Sequence, residues 1–201
     1  MKRDKAWLDI EGVPMIERVI AAARPAVGLL GIIVNAANPQ IERYEKLASD
    51  SGARLIFDLH NHLGPLGGIH TALTHCGANE SALILACDLP FITTEFLSFL
   101  CDLHRDRNPQ SADRIPHSIT VPLDQSDRPQ PLVAIYDQSL EVVVGEMLAA
   151  RDLKVDLLYS RVSTRQVNFA EFAHLRGSER FFININSLED FRTVAGDQYD
   201  A

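Results

Sequence analysis

Residues 82–93 read ALILACDLPFIT, an uncharged run that ends at Asp88. An apolar run of this length, without polar alternation, predicts a strand buried on both faces of a parallel sheet. In open α/β sheets, ligands bind beyond the carboxyl ends of the strands, which is where Asp88 stands. A helix is predicted to follow at TTEFLSFLCDLH, and residues 93–95 cap that helix better than Asp88 does. We therefore interpret Asp88 as a functional carboxylate.

Strand-like and helical segments alternate before this run. Apolar residues at helical spacing predict helices at 14–23, 39–52 and 64–76, and apolar runs predict strands at 28–36 and 53–58. Gly52 is the predicted stop of the second helix. This order predicts an α/β fold of three layers, with a mostly parallel central sheet and crossover helices.

The second half of the chain has a different pattern. A polar loop at 105–116 precedes two strands, HSITVPL and QPLVAIYD, which are joined by DQSDRP. A helix is predicted at 138–152, then strand-like pieces at VDLLY and RQVNF, and a capped last helix beginning at NINSLEDF. No linker is long enough to divide the chain, so we expect one domain over residues 1–201.

Composition narrows the classes of function. The 201 residues carry a formal net charge of −8, which argues against a nucleic-acid partner but not against a small anionic ligand. No apolar run reaches the length of a membrane span, and no secretory signal is recognised. Cys76, Cys87 and Cys101 are too few for a disulfide framework and are interpreted as core residues. We expect a cytosolic protein.

Polar residues terminate three successive predicted strands. Asn35, Asp58 and Asp88 stand at these ends, and the ends of parallel strands in one sheet converge on a single rim. The turn GPLGG at 64–68 lies just ahead of a helix N-terminus. Its glycines let the backbone approach a ligand closely: Gly64, Gly67 and Gly68.

The motifs, taken in order, resemble those of molybdenum cofactor guanylyltransferases. The likeness runs from Asp4 to about Arg192 and rests on DKAWLDIEGVPMIERVI, IVNAAN, GPLGGI, CDLPFI, PLVAIY and FININSLEDF. It implies a Rossmann-like nucleotidyltransferase fold. The implied reaction transfers GMP from GTP to the phosphate of molybdopterin or its molybdenum-loaded form, and releases pyrophosphate.

The resemblance also assigns expected roles to single residues. Lys5 matches the lysine that contacts the nucleotide phosphates, and Asp58 and Asp88 match two nucleotide-site aspartates. Asp88 is in addition the expected Mg²⁺ ligand, so Lys5 and Asp88 are the expected catalytic residues. Asn35 matches a polar position near the guanine nucleotide.

Two further segments match the family on the substrate side. The loop beside the base and the pterin is expected at Gly64, Pro65, Gly67 and Gly68. Asn184 and Asn186 match an N-x-N motif in the far wall of the site.

The chain departs from the family at its beginning. Family members start with a strand and a glycine-rich phosphate loop immediately before the Asp-Lys pair, and neither precedes Asp4 here. Because that strand belongs in the middle of the sheet, its absence leaves unpaired backbone groups on two neighbours. We expect Met1 to be an internal methionine, with the natural start roughly 15 to 20 residues earlier. The alternative is a truncated chain with weakened or lost catalysis.

Other functions remain open from the sequence. Close relatives transfer CMP to the same pterin, and a truncated fold is also compatible with a non-catalytic nucleotide-binding or pterin-binding module. A transition-metal hydrolase would use the histidines near Asp58: His60, His62, His70 and His75. A labile product favours a handover partner, either a molybdoenzyme or an insertion chaperone.

Overall fold

The computed structural model describes residues 4–60, 62–105 and 117–196. The strands in these ranges are β1 (Asp9–Ile10), β2 (Val13–Pro14), β3 (Gly31–Val34), β4 (Arg54–Phe57), β5 (Ser81–Leu85), β6 (Ile119–Pro122), β7 (Val133–Asp137) and β8 (Thr164–Val167). The α-helices are α1 (Met15–Ala23), α2 (Ile41–Ser51), α3 (Gly64–Thr74), α4 (Thr94–Arg105), α5 (Glu141–Ala149), α6 (Asp156–Tyr159), α7 (Phe169–Phe172) and α8 (Leu188–Gly196). Apart from Arg105, which ends α4, the predicted polar loop lies outside the described residues.

The strands form three separate sheets in the described part of the chain. A short antiparallel pair joins β1 and β2, and a parallel pair joins β3 and β4. The largest sheet has the order β5-β7-β6-β8. In it β7 is antiparallel to β5 and β6, and β6 is parallel to β8. Parallel pairing predominates outside β7, in agreement with the predicted α/β fold.

Helices cover both faces of the largest sheet. Successive residues of β7 point to opposite faces, so Val133 and Ile135 join one core cluster while Ala134 and Tyr136 join another. The first cluster packs against α4 and α7, and the second against α3 and α5. This arrangement confirms the three-layer architecture.

The smaller parallel pair has its own core with α2. Ile32 and Val34 of β3 are buried against Tyr44 and Leu47 of that helix. The helix ends at Gly52, whose φ of 66° lies in the left-handed region that favours glycine. The predicted second helix and its stop are therefore confirmed.

A cavity of about 880 Å³ lies between β3 and β5. Within the described residues β3 pairs only with β4, and β5 pairs only with β7, so no strand joins the two sheets. As a result, Ala82, Leu83, Ile84 and Leu85 of β5 are only half-buried. The prediction that this strand is buried on both faces is wrong, because one of its edges borders the cavity.

The structure corrects two further local predictions. The piece VDLLY, expected to be strand-like, contains the short helix α6 instead. The GPLGG segment is not a loop but the N-terminal part of α3. By contrast, the Thr93 hydroxyl accepts a hydrogen bond from the Phe96 N–H at 3.3 Å, which confirms that Asp88 is not needed as the cap of α4. None of the described helices is long and apolar enough to cross a membrane.

Candidate nucleotide site

Asp88 lies just beyond the carboxyl end of β5. Its carboxylate makes no hydrogen bond or ion pair with any described residue, and its backbone carbonyl accepts a hydrogen bond from the Ile185 N–H at 3.0 Å. A carboxylate without a protein partner at the end of a strand is free to bind a cation or a ligand donor. The backbone bond also places the N-x-N segment directly beside it.

The N-x-N segment is extended, with its two asparagines exposed. Ile185 between them is fully buried with Ile10 and Met15, so Asn184 and Asn186 project away from that core. The Asn186 N–H donates to a carboxylate oxygen of Asp190 at 2.8 Å, and the Ser187 hydroxyl accepts from the Asp190 N–H at 3.1 Å. Ser187 thus caps α8 and fixes the segment to its start, in agreement with the capped last helix predicted from the sequence.

Lys5 lies in a short 3₁₀ turn that is anchored at its start by Asp4. One carboxylate oxygen of Asp4 accepts from the Ala6 N–H at 3.2 Å. The other accepts from the Tyr44 hydroxyl at 2.8 Å and from the Asn38 side-chain amide at 3.1 Å. The exposed Lys5 ammonium donates to the side-chain oxygen of Asn186, a residue 181 positions away in the sequence.

The pKa of the Cys87 thiol reflects the charged groups around the end of β5. Burial, followed by the carboxylates of Asp88 and Asp4, raises the pKa of the Cys87 thiol to about 11, while the Lys5 ammonium opposes them. Two carboxylates and one ammonium therefore surround the end of β5. The thiol is neutral at physiological pH, which makes Cys87 a poor nucleophile.

Asn35 follows β3 and organises the turn that holds Asp4. Its side-chain oxygen accepts from the Ala37 N–H at 2.8 Å, and its backbone carbonyl accepts from the Asn38 N–H at 2.9 Å. Asn38 in turn donates to Asp4. The structure therefore connects Asn35 to the Lys5 turn through Asn38 and Asp4.

Asp58 is committed to a hydrogen-bond network at the start of α3. One carboxylate oxygen accepts from the His60 N–H at 3.0 Å and from the Thr71 hydroxyl at 2.9 Å. The fully buried Thr71 hydroxyl also accepts from the Leu59 N–H at 3.1 Å. Asp58 thus connects the segment after β4 to α3. Its side chain lies beside the cavity and not beside Lys5.

The glycines at the start of α3 differ in their surroundings. Gly64 has a φ of 67°, and Pro65 follows it in the first turn, where proline's missing N–H costs nothing. A Cβ atom on Gly67 would lie 2.9 Å from the His60 Cβ, whereas one on Gly68 would meet nothing within 4 Å. Gly67 is therefore a packing glycine, and Gly68 faces open space.

The histidines near Asp58 bond to the protein. His60 and His70 share a hydrogen bond of 2.9 Å between ring nitrogens, and a ring nitrogen of His75 lies 2.8 Å from the Thr71 carbonyl. Burial, followed by the neighbouring His60, lowers the pKa of His70. Across the described ranges, no group of three histidine, cysteine or acidic residues is arranged to hold a metal ion.

Comparisons with known proteins show the family of the chain. A family model described as "MobA-like NTP transferase domain" matches residues 1–162. The chain belongs to this family. "Probable molybdenum cofactor guanylyltransferase" proteins of Clostridium perfringens strain 13 and Flavobacterium johnsoniae are 30% and 31% identical to it over 195 residues. These alignments cover 96% of this chain and 87% and 89% of the relatives.

A solved structure shares the fold of this MobA-like chain. It is "Molybdopterin-guanine dinucleotide biosynthesis protein A" from Archaeoglobus fulgidus, with a TM-score of 0.73 and 23% identity, covering 98% of this chain and 91% of that one. The fold predicted from the resemblance is therefore confirmed, and so is the family. The roles of single residues stay predictions.

The structure brings together only part of the predicted MobA-like site. Lys5 bonds to Asn186, and the neighbouring Ile185 N–H bonds to the Asp88 carbonyl beyond the end of β5, whereas Asp58 and the start of α3 lie along the cavity. Sequence reasoning missed the polar residues that hold this arrangement: Asn38, Tyr44 and Thr71. No local pattern marks them, because each acts on a partner distant in sequence.

Proposed function

We propose that this chain transfers GMP from GTP to the phosphate of molybdopterin, or of the molybdenum-loaded cofactor. A phosphate oxygen of the pterin attacks the α-phosphorus of GTP, the bond to the β-phosphate breaks, and pyrophosphate leaves. One observation carries the proposal: relatives about 30% identical over nearly the whole chain are named as guanylyltransferases of this cofactor. The charges of Lys5 and Asp88, which both act on the Cys87 thiol at the end of β5, support it.

The chemistry demands charge neutralisation rather than a general base. The attacking phosphate oxygen is already an anion, so no proton has to be removed before it reacts. The difficulty lies in bringing two anions together and in stabilising the pyrophosphate as it leaves. Lys5 supplies a compact positive charge at the rim, and its contact with Asn186 orients the ammonium.

We propose that Asp88 holds the divalent cation, which is Mg²⁺. Magnesium is commonly bound through one or two carboxylates together with substrate phosphates and water, so a single carboxylate without a protein partner fits this ion. When bound, Mg²⁺ supplies Lewis-acid stabilisation of phosphate charge. The residues present therefore fit the ion, although they do not form a cage made of protein ligands alone.

Calorimetric titration tests the proposal directly. The chain is titrated with GTP and then with CTP, with and without Mg²⁺, beside the variants Asp88→Asn and Asp50→Asn. Asp50 is an exposed aspartate of α2, so its substitution is a matched loss of one charge. We expect magnesium-dependent GTP binding that Asp88→Asn abolishes and Asp50→Asn retains, and a loss of pyrophosphate release on the order of 10²-fold or more in Asp88→Asn.

Other outcomes identify the rival functions. Preferential CTP binding would assign CMP transfer instead. Binding of GTP without pyrophosphate release in the presence of molybdopterin would indicate a non-catalytic binding module. GTP binding that is equally strong in Asp88→Asn would remove this carboxylate from the metal site.

A receiving partner follows from the product's chemistry. The finished cofactor is labile, so we propose direct handover to a molybdoenzyme or an insertion chaperone. Co-purification of such a protein with the product-loaded chain, but not with the empty chain, is the expected result. Equal recovery in both states would contradict the handover.

A further inference from the structure

Asp4 places a carboxylate directly beside the lysine of the proposed site. Asp4 and Lys5 are adjacent in the sequence, and both charges act on the Cys87 thiol at the end of β5. Opposite charges on adjacent residues attract each other, and an ion pair with Asp4 would hold the Lys5 ammonium away from a phosphate. In the described part of the chain the two side chains do not pair, because each bonds elsewhere.

Uncharged donors occupy the Asp4 carboxylate. One oxygen accepts from the Ala6 N–H at 3.2 Å. The other accepts from the Tyr44 hydroxyl at 2.8 Å and from the Asn38 side-chain amide at 3.1 Å. Hydrogen bonds to a carboxylate stabilise more than an exposed ion pair does, so Asp4 stays with these donors rather than with Lys5.

The Tyr44 hydroxyl is fixed by the packing of its ring. The ring is buried in the core that contains Ile32 and Val34, and it meets the Trp7 ring edge-on with 5.1 Å between the centroids. Burial, followed by the hydrogen bond to Asp4, raises the pKa of the Tyr44 hydroxyl well above its ordinary value. The hydroxyl therefore remains protonated, and it remains a donor, at physiological pH.

Asn38 is fixed by the turn that follows β3. Its backbone N–H donates to the Asn35 carbonyl at 2.9 Å, and its side-chain oxygen accepts from the Gln40 N–H at 2.8 Å. These bonds leave the side-chain nitrogen to donate to Asp4. Two donors from different elements, the turn after β3 and the helix α2, thus converge on one carboxylate oxygen.

Lys5 is left with an uncharged partner. Its ammonium donates to the side-chain oxygen of Asn186, and no ion pair among the described residues includes it. An amide orients an ammonium without cancelling its charge, so the charge of Lys5 remains available to a phosphate.

We propose that Tyr44 and Asn38 are positioning residues for GMP transfer, because they restrain the Asp4 carboxylate and so prevent it from pairing with Lys5. The inference rests on the proposed function, in which Lys5 contacts phosphate. It goes beyond that function by assigning a part in the reaction to two residues that act through Asp4 rather than by touching Lys5.

Amine labelling tests the restraint without any turnover. The intact chain and its variants are treated with the N-hydroxysuccinimide ester of acetic acid, and mass spectrometry compares acetylation of Lys5 with that of the exposed Lys46 in α2. Only the uncharged amine reacts, and a nearby carboxylate favours the charged form. Tyr44→Phe should therefore slow the labelling of Lys5 relative to Lys46 by about threefold or more.

Tyr136→Phe is the matched control for the loss of a tyrosine hydroxyl. Tyr136 is also buried, and its hydroxyl donates to the Pro131 carbonyl at 2.9 Å, outside the Asp4 contacts. This substitution should leave the labelling ratio of Lys5 to Lys46 unchanged.

Pyrophosphate release from GTP in the presence of molybdopterin measures the consequence for the reaction. Tyr44→Phe should lower kcat/KM for GTP by about tenfold, because Lys5 is drawn from its position, whereas Tyr136→Phe should change it by less than about twofold. An amide in place of the Asp4 carboxylate cannot form an ion pair with Lys5. In the Asp4→Asn background, Tyr44→Phe should therefore change both the labelling ratio and kcat/KM by less than about twofold.

Different failures have different meanings. Unchanged labelling of Lys5 in Tyr44→Phe would overturn the restraint, and slower labelling with undiminished pyrophosphate release would show that the restraint has no part in the reaction. Equal losses with Asp4 intact and with Asp4→Asn would make Tyr44 a packing residue. A parent chain that releases no pyrophosphate would instead contradict the proposed function, and the labelling ratio would still decide whether Tyr44 restrains Asp4.

Discussion

Buried Thr71 is the residue on which the Asp58 segment depends. Its hydroxyl is the acceptor for the Leu59 N–H and the donor to Asp58, and it is fully buried. Thr71→Val keeps the shape but removes both functions, so it leaves a backbone N–H without its partner. We expect a loss of about 1–3 kcal/mol in the free energy of unfolding, measured by urea denaturation.

The exposed Thr74 is the control for that measurement. Its hydroxyl only donates to the His70 carbonyl at 2.9 Å, so Thr74→Val should change stability by no more than about 0.5 kcal/mol. Equal effects of the two substitutions would mean that the network around Asp58 adds nothing to stability.

His70 should make stability depend on pH. Burial and the neighbouring His60 lower the pKa of His70 below its ordinary value near 6.5, although Glu141 opposes them. The unfolded chain therefore binds more protons than the folded chain just below that value. Stability should fall as the pH drops below about 6.5 and should level off above it.

Urea denaturation at a series of pH values measures this dependence. The variant His70→Gln cannot take up the proton, so its free energy of unfolding should change less steeply between about pH 5.5 and 6.5 than that of the parent chain. Curves of equal slope in this window would show that His70 titrates alike in the folded and unfolded states.

At the scale of the element, α3 provides a test with two adjacent glycines. A Cβ atom on Gly67 would lie 2.9 Å from the His60 Cβ and 3.4 Å from its carbonyl oxygen, whereas Gly68 has open space. Gly67→Ala should therefore lower the free energy of unfolding by about 1–3 kcal/mol. Gly68→Ala should raise it by about 0.4–1 kcal/mol, because alanine restricts the unfolded chain. Urea denaturation that gives both variants the same sign would contradict this assignment.

The elements predictable from sequence are those with long periodic patterns or defined stops. The helices α1 and α2 follow from apolar residues at helical spacing, and Gly52 supplies the end of the second. The four-residue helix at Asp156–Tyr159 is not predictable from sequence, because so short an apolar run does not distinguish helix from strand. The start of α3 has the glycine-rich composition of a loop, although Pro65 is favourable in a first helical turn.

At the scale of the whole molecule, the site is less predictable than the fold. Asp88 is marked locally by the end of an apolar strand, but its neighbour Asn186 comes from the far end of the chain. The approach of Lys5 to Asn186 depends on the tertiary packing of Ile10, Met15 and Ile185. Spacing carries no information about such contacts, and the family resemblance supplied the expectation. The half-buried state of β5 was likewise hidden, because its composition is that of a fully buried strand.

The β3–β4 pair and the four-stranded sheet rest on cores of unequal size. The pair β3–β4 rests on the small core that includes Tyr44 and Leu47, whereas the four-stranded sheet has a large core on each face. In the described residues the two regions are connected by helices such as α3, which contacts both β3 and β5, rather than by strand pairing. A two-stranded sheet is marginal by itself, so β3–β4 should open before the rest unfolds.

Native-state hydrogen exchange at increasing urea tests this order of opening. The amides of Ile32 and Val34, which face β4, should open at a free energy lower by about 1 kcal/mol or more than those of Ile135 and Tyr136 in β7. A single opening free energy for both groups would show one cooperative unit.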